Sequence, residues 1–456
     1  MMKSINLRFA FVLILFFYCA NTIKAQTVTD TIGNTIVEIS VAVDTNHFTG
    51  GYTSGPWDLN WGPDQKLWYT NENRLCTYDP VTQIVDTILE INSGFIMSVT
   101  THDDFQNNPF VYLVIDTNYY YGAGGLIKLF KYDYDLSTDS LYNPQFILQW
   151  NHGGEHSGGR IIYGSDDKLY VSTAEYYRQN DTLFNNSGKV LRINPDGTVP
   201  VDNPRGDYTF SYGHRNPQGI VQVPNGNIFV SEYGSSWDEL NLIQANRYYG
   251  WMIYDGVTCL GNTDSCNYYD TIAVFPLDAA RNPPSGIDFY NNFAIPEFYG
   301  LVQAVTGAIA QGLIVYTMNS TYDSVVTKSY YLTQEYGRVR DVCAASDGSV
   351  YFIAHDRNRA DIHVIRNPLF NSIGDRSNEI NISIFPNPAN DELHILKKGV
   401  NGKETIQIIN FTGLIVYDNK NMHDDVIDVR NFSNGVYLLK IFNQNSITTK
   451  KFLVEH

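Results

Sequence analysis

The chain predicts an all-β fold, a six-bladed β-propeller followed by a small Ig-like β-sandwich, on three observations. Tyrosine (33), phenylalanine (24) and glycine (35) are abundant, and no long segment sustains a helical period. A turn rich in Asp, Asn or Gly, followed by a short strand ending in an aromatic, recurs four times. The copies are Gly62-Pro63-Asp64-Gln65 before Leu67-Trp68-Tyr69, Gly164-Ser165-Asp166-Asp167 before Leu169-Tyr170, Pro224-Asn225-Gly226 before Ile228-Phe229, and Ser346-Asp347-Gly348 before Val350-Tyr351. Their spacings are 102, 59 and 122 residues, so the outer gaps each read as two periods with one copy decayed. A period of roughly 50–60 residues, slightly longer than that of common propellers, fits about six blades into residues 40–366. A long β-sandwich with coincidental turns is the alternative.

Residues 1–25 read as a secretory leader. Lys3 and Arg8 precede the apolar stretch Phe9 to Ala20, which is too short to span a bilayer comfortably, and Ile23-Lys24-Ala25 offers a cleavage point before Gln26. Bulky Tyr18 before Cys19 argues against a lipoprotein anchor, and no later apolar run has the length of a membrane helix. Cleavage removes Lys3, Arg8 and Lys24 and no acid, moving the net charge from −17 to −20. Such a surface repels nucleic acid and anionic lipid and suits calcium or neutral substrates. Of the four remaining cysteines, Cys259 and Cys266 bracket a short turn-rich loop; they either close a disulfide in an oxidising compartment or stay as two thiols. Cys76 and Cys343 read as buried thiols, and no spacing resembles a zinc site.

Composition shifts after Arg366. Residues 367–381 are polar and read as a linker. Residues 382–456 form short alternating strands separated by Asn, Gly and Asp turns, the pattern of a small antiparallel sandwich. Phe385-Pro386-Asn387-Pro388-Ala389 with Leu393, the turn Asn410-Phe411-Thr412-Gly413, Asn434-Gly435-Val436-Tyr437-Leu438 and the terminal Lys450-Lys451-Phe452-Leu453-Val454 together resemble a type A sorting domain of the type IX secretion system. That resemblance implies export across the outer membrane by the type IX machinery, with the cargo released or attached to the surface. A carbohydrate-binding sandwich is the alternative, although no aromatic platform is evident.

Three glycine-rich segments concentrate charge in a chain with only 17% charged residues: Gly153 to Arg160, Tyr212 to Gly219 and Gly337 to Val342. Glycine lets backbone approach a ligand closely, so such clusters suggest loops built around an anionic or polar guest. His156 is the candidate base because imidazole titrates nearest neutral pH, with Glu155 beside it. Arg338 and Arg340 alternate, so a strand would point both to one face, matching two carboxylates. Arg215, Asn216 and Gln218 add donors, and Arg160 lies beside the first cluster. Asp238 and Glu239, after Gly234-Ser235-Ser236, set carboxylates beside free carbonyls, which are ingredients for calcium. Satisfied structural residues and solvated surface charges are the competing readings.

These segments, with Trp61-Gly62-Pro63-Asp64, Gly188 to Gly197, Asp238 to Ile243 and Tyr249-Gly250-Trp251, resemble the soluble pyrroloquinoline-quinone (PQQ)-dependent glucose dehydrogenases and their glucose/sorbosone dehydrogenase relatives. The similarity runs in family order over about residues 55 to 365. It implies a six-bladed propeller holding PQQ across one end, with a sugar above it and an external electron acceptor. By that resemblance His156 is the general base that takes the anomeric hydroxyl proton. Arg215, Asn216, Arg338 and Arg340 match cofactor-contacting positions. Gly234 and Ser235 offer carbonyls to calcium, Ser235 standing where the nearest relatives have proline, and Asp238, Glu239 and Tyr249 lie near a second calcium site of some members.

The chain also departs from that family. Ala310 stands at a cofactor-contacting lysine position, Ser93 at a glutamine, and Ala174-Glu175 replaces the usual Gly-Asp. Losing a cation and an amide donor is expected to weaken quinone binding, because charge-assisted bonds contribute about 1.5–3 kcal/mol each. The leading expectation is an exported aldose dehydrogenase. A non-catalytic binding propeller and a calcium-dependent hydrolase or lactonase are the other classes, and fold alone does not choose among them.

Overall fold

The computed structural model describes residues 27–45, 55–117, 124–154, 156–176, 185–262, 266, 276–307, 311–355, 359–370, 381–398, 405–410, 414–420, 426–442 and 447–456. The expected leader, Glu155 and Ala310 lie outside them. Among the described residues of the main body, six antiparallel sheets of four or five strands follow one another, besides the two-stranded pair Tyr254–Asp255 and Thr258–Cys259, and each of the six turns one end strand toward the centre. Those inner strands are Pro56–Trp61, Phe95–Thr101, Gly158–Gly164, Pro217–Gln222, Pro284–Tyr290 and Arg338–Ala344. Each packs against the next, and the sixth packs against the first, so the sheets close a cycle.

The hydrophobic cores repeat that cycle. Trp68, Leu75 and Phe105 fill the space between the first two sheets, and Tyr112, Leu129, Leu169 and Leu191 fill the next. Tyr170 with Val230, Phe229 with Leu301, and Tyr290 with Phe352 fill three more. Tyr69 with Tyr351 and Ile353 joins the sixth sheet back to the first. The wall of the ring therefore holds six cores, one between each neighbouring pair of sheets. Each fully buried aliphatic or aromatic side chain contributes about 1.5–3 kcal/mol by transfer from water.

The four recurring turns explain how the sheets are cut. Gln65, Asp167, Gly226 and Gly348 all have positive φ, near 60° to 91°, which reverses the chain into Leu67–Asn71, Lys168–Thr173, Ile228–Glu232 and Val350–His355. These are the second strands of the first, third, fourth and sixth sheets. The two decayed copies correspond to the second and fifth sheets. There the corner is made by the Asp104–Asn108 turn and by a short 3₁₀ segment, Pro296–Phe298.

The sixth sheet takes its outer strands from the other end of the body. Thr35–Val43 pairs with Ala360–Arg366, and Val28–Ile32 pairs with Thr35–Val43. Glu297 fixes the hairpin by accepting from the Asn34 and Thr35 backbone N–H groups and the Thr35 hydroxyl at 2.7–3.1 Å. This hairpin begins at Val28, ahead of the residue 40 at which the sequence pattern starts the body. Val28–Ile32 is mostly exposed and lacks the apolar alternation that would have marked it.

At the axis, Arg160 from the third sheet donates to Asp58 of the first and, at 2.6 Å, to Asp341 of the sixth. It also donates to the carbonyls of Trp57 at 2.9 Å and Gln218 at 3.0 Å. Asp58 accepts from the Ser98 hydroxyl and the Val99 N–H of the second sheet, and Asp341 accepts from the Leu59 N–H. Asp288 of the fifth sheet accepts from the Ala344 N–H of the sixth at 2.7 Å. Gly286 has no room for a side chain, because a Cβ would lie 1.4 Å from Asp341 Oδ1. Arg160, read from the sequence as support for a ligand loop, is instead buried among these partners.

In the tail, Asn381–Phe385, Glu392–Lys398 and Val426–Asp428 form one sheet, and Ile415–Lys420, Thr405–Asn410, Gly435–Phe442 and Ile447–Val454 form another. Leu393, Ile395, Ile406, Leu439 and Phe452 belong to one core shared by both. Among the described residues no helix is long and apolar enough to cross a membrane.

Two stability measurements test the axis. Arg160→Ala leaves two buried carboxylates without their cation and should cost about 3–5 kcal/mol in denaturant unfolding of the main body; a loss under about 1 kcal/mol would refute the role. Burial pushes Asp288 up to about 6. Because its folded value exceeds the unfolded one, the folded state holds this proton more tightly. Its contribution is full below about pH 4 and is lost as the pH rises through about 6, amounting to about 3 kcal/mol. Asp288→Asn should remove that part of the slope, and an unchanged slope would contradict it.

Candidate functional site

A cavity of 580 Å³ lies at the end of the ring where all six inner strands begin. Trp57, Phe95, Gly158, Gln218, Pro284 and Arg338 line it, one from the start of each inner strand, together with Gly154, Ser157, Asn216, Tyr233 and Arg340. One residue further along, Asp58, Gly219, Gly286 and Asp341 line a separate cavity of 410 Å³. The Arg160 cluster therefore forms the floor between the two spaces.

The upper cavity is lined by aromatic rings and by two guanidinium groups from one strand. Trp57 meets Phe95 edge to face at 5.5 Å, and the Arg340 guanidinium lies 4.4 Å over the Trp57 ring. Arg338 and Arg340 project into the same space from one strand. Asn216 is buried and accepts from Gln218 Nε2 at 2.7 Å. The Arg215 guanidinium is flanked by the rings of Tyr233 and Trp251 at 5.3 and 5.1 Å.

His156 sits between two cavity-lining residues, Gly154 and Ser157. Its Nδ1 is 2.9 Å from Glu175 Oε1, and the carboxylate is 94% buried. An ionised carboxylate only accepts, so Nδ1 carries the hydrogen and Nε2 keeps the lone pair. The Glu175 backbone N–H donates to the Arg215 carbonyl at 2.8 Å. The segment bearing the imidazole and the segment bearing Arg215 are thereby held together. Sequence reading noted Glu175 only as a departure from Gly-Asp. Its partnership with His156, 19 residues away, has no local signal.

The neighbouring histidine has a different place. His214 is buried between Glu232 Oε2 and Ser211 Oγ, both at 2.9 Å, and stacks on Tyr249 at 4.5 Å. Glu232 also accepts from the Arg215 N–H. Tyr249 donates to the Leu242 carbonyl and accepts from the Gln244 N–H, so its hydroxyl is taken up by the end of the strand Asp238–Ile243.

The turn after Tyr233 gathers the other calcium candidates. The carbonyls of Tyr233 and Gly234 accept from Arg215 Nη1 at 2.8 and 2.7 Å. Asp238 accepts from the Gly234 N–H at 3.2 Å; burial pushes it up to about 6, against the pull of Arg215. Glu239 accepts from the Gly256 N–H and from Asn241. Burial, reinforced by Glu232, holds its carboxyl well above the usual carboxylate range. Among the described residues no group of three or more His, Cys, Asp or Glu side chains is arranged to hold a metal. Any cation at this turn would rest chiefly on backbone carbonyls, and those of Tyr233 and Gly234 already accept from a charged donor.

Of the departures, Ser93 is exposed just before the strand whose Phe95 and Met97 line the cavity. Gly307, near the position of Ala310, also lines it. Cys259 and Cys266 are joined in a disulfide with a Cα–Cα distance of 6.1 Å, while Cys76 and Cys343 are buried thiols.

Residues 53–364 match the glucose/sorbosone dehydrogenase family, and residues 383–455 match a secretion system C-terminal sorting domain. Quinoprotein glucose dehydrogenase B from Acinetobacter calcoaceticus is 30% identical over 239 residues, 43% of this chain and 50% of that protein. The chain thus spans about half the length of that relative. Aldose sugar dehydrogenase YliI from Escherichia coli strain K12 is 28% identical over 230 residues, 44% of this chain and 58% of that protein. The solved structure of PQQ-bound aldose sugar dehydrogenase from Streptomyces coelicolor superposes with a TM-score of 0.57 at 22% identity. It covers 72% of this chain and 98% of its own, a likeness of fold.

The Glu175 contact predicts an NMR observable. At a pH where His156 is neutral, its nitrogen shifts should report the Nδ1–H tautomer, and Glu175→Gln should shift the population toward Nε2–H. A wild-type spectrum dominated by Nε2–H would overturn the assignment.

Proposed function

Because the chain belongs to the glucose/sorbosone dehydrogenase family and carries a secretion sorting domain behind it, we propose that it is an exported, PQQ- and calcium-dependent aldose dehydrogenase. In this reading the six sheets are the blades of one propeller over residues 40–366, extended by the hairpin from Val28. Residues 1–25 are the leader, 367–381 the linker, and the Ig-like sandwich at 382–456 is the type IX address. The observation that carries the proposal is the convergence of Arg338, Arg340, Asn216 and the neighbours of His156, Gly154 and Ser157, on one cavity.

The residues suit a planar, polycarboxylate quinone. Arg338 and Arg340 would meet its carboxylates, the Trp57 and Phe95 rings would supply apolar contact, and Asn216 and Arg215 would supply donors. The resemblance gives calcium to the carbonyls of Gly234 and Ser235, but the Gly234 carbonyl already accepts from Arg215 Nη1 at 2.7 Å, so a cation there would have to displace the guanidinium and no step is routed through it. When bound, the quinone supplies the two-electron acceptor for hydride leaving the anomeric carbon. The protein's own task is the proton: Nε2 of His156 takes it from the anomeric hydroxyl while Glu175 accepts from Nδ1–H and stabilises the imidazolium that forms. The sugar leaves as a lactone, and an external acceptor completes the cycle.

Departures at Ala310 and Ser93 favour a second reading, a propeller that binds a glycan or protein partner without turnover. Titration of the purified protein with PQQ and calcium, followed by dye reduction with aldoses, separates the two. His156→Ala should lower kcat by roughly 10²–10⁴-fold with little change in quinone affinity. Arg340→Ala should weaken quinone binding by about 10–150-fold, the equivalent of one charge-assisted contact. No spectral change at saturating quinone, with no dye reduction, would transfer the case to the binding module.

A further inference from the structure

We infer that His152 is a positioning residue for His156, an inference that rests on the functional reading above. His152 ends the strand Ser140–His152 and Asp116 ends the strand Phe110–Asp116. Both stand at the cavity end of the second sheet, where Asp116 pairs with the cavity-lining Phe95. Both are buried, His152 at 2% exposure and Asp116 at 0%. The backbone N–H of Gly154 donates to His152 Nδ1 at 3.3 Å. Nδ1 therefore carries the lone pair, and the ring hydrogen is on Nε2. Nε2 faces Asp116, 3.1 Å from Oδ2. The Ser157 hydroxyl lies 3.5 Å from the same Nδ1. One ring nitrogen thus meets the chain on both sides of His156.

The sequence around this pair is cut to fit it. Gly154 takes a φ of +82°, which glycine adopts at no steric cost, and its N–H reaches back to the side chain two residues earlier. Gly125 pairs with His152 across the strands, and a Cβ there would lie 2.6 Å from Nε2 and 3.2 Å from Asp116 Oδ1. A side chain at 125 would therefore push the imidazole out of line. The stretch after His152 carries the chain from the second sheet to the third. On the third-sheet side, Glu175 holds His156 Nδ1 at 2.9 Å. On the second-sheet side, His152 holds the backbone that bears His156. The two imidazoles use opposite tautomers for these tasks. Nε2–H in His152 leaves Nδ1 to accept, whereas Nδ1–H in His156 leaves Nε2 to take the anomeric proton. Misplacing a catalytic group by about 1 Å costs about 10²-fold in rate, so this second hold acts on turnover rather than on binding.

The test combines nitrogen NMR on the cofactor-free, full-length mature protein with turnover in the dye assay above. Wild-type His152 should show the Nε2–H tautomer. His152→Gln keeps a polar group toward Asp116 but loses the acceptor at the Nδ1 position. It should lower kcat about 10- to 100-fold and leave the aldose KM and the quinone affinity within about twofold of wild type. It should also shift the His156 signals away from the Nδ1–H tautomer, a change read without any cofactor. His152→Asn, whose amide oxygen can occupy the Nδ1 position, should recover most of the lost kcat and the His156 tautomer. Gly125→Ala, outside the cavity lining, should reproduce the glutamine effect by pressing on Nε2. A wild-type His152 carrying Nδ1–H overturns this inference alone, as does a glutamine variant with unchanged His156 signals. Equal losses in the asparagine and glutamine variants overturn it too, since they mark general damage to the fold. A wild-type protein without aldose turnover removes the functional reading, and the His156 signals of the glutamine variant still decide whether His152 positions that ring.

Discussion

Everything at the axis depends on a single buried cation. Arg160 reaches inner strands of the first, fourth and sixth sheets, and its two carboxylate partners collect donors from the second sheet and again from the first. A ring of sheets with its cores in the wall has nothing apolar at its centre to hold the inner strands in register. Here that job falls to charge. Desolvating one guanidinium and two carboxylates is expensive, and the arrangement is tolerable because the remaining valences are met by backbone carbonyls and N–H groups. Burial pushes the Asp341 carboxyl above its ordinary range, against the pull of Arg160.

The upper cavity inherits its shape from that floor. Trp57 and Arg340 are the chain neighbours of Asp58 and Asp341, so anchoring the two carboxylates also anchors the strand ends that carry the cavity's ring and guanidinium. Sites built on strands in this way move little. The His156 loop and the turn after Tyr233 lie outside the strands and are fixed instead by carboxylates borrowed from elsewhere: Glu175 for the first, Asp255 for the second. The strand-borne part of the site sets shape and charge, while the loop-borne part depends on those borrowed carboxylates for its placement.

Much of this was legible in the sequence, for reasons that differ by residue. The four turns were readable because reversing a chain between strands demands residues that accept positive φ, and that chemistry is local. Sheets two and five were inferred only as gaps, since a 3₁₀ corner and an Asp104-centred turn carry no such signature. Arg338 and Arg340 were legible through strand alternation alone. Arg160 was misread: a lone arginine among glycines looks the same whether its partner is a ligand or a carboxylate 181 residues away. Glu175 and Asp255 were invisible as partners for the same reason, because their contacts are set by tertiary closure.

The outermost strands carry a consequence for the order in which this protein can fold. Thr35–Val43 finds its partner in Ala360–Arg366, so this early strand must wait for the last segment of the body. Until then its edge is unsatisfied and sticky toward any extended polypeptide nearby. The growing chain is an open horseshoe for as long as synthesis lags, and pairing of the two strands ends that exposure.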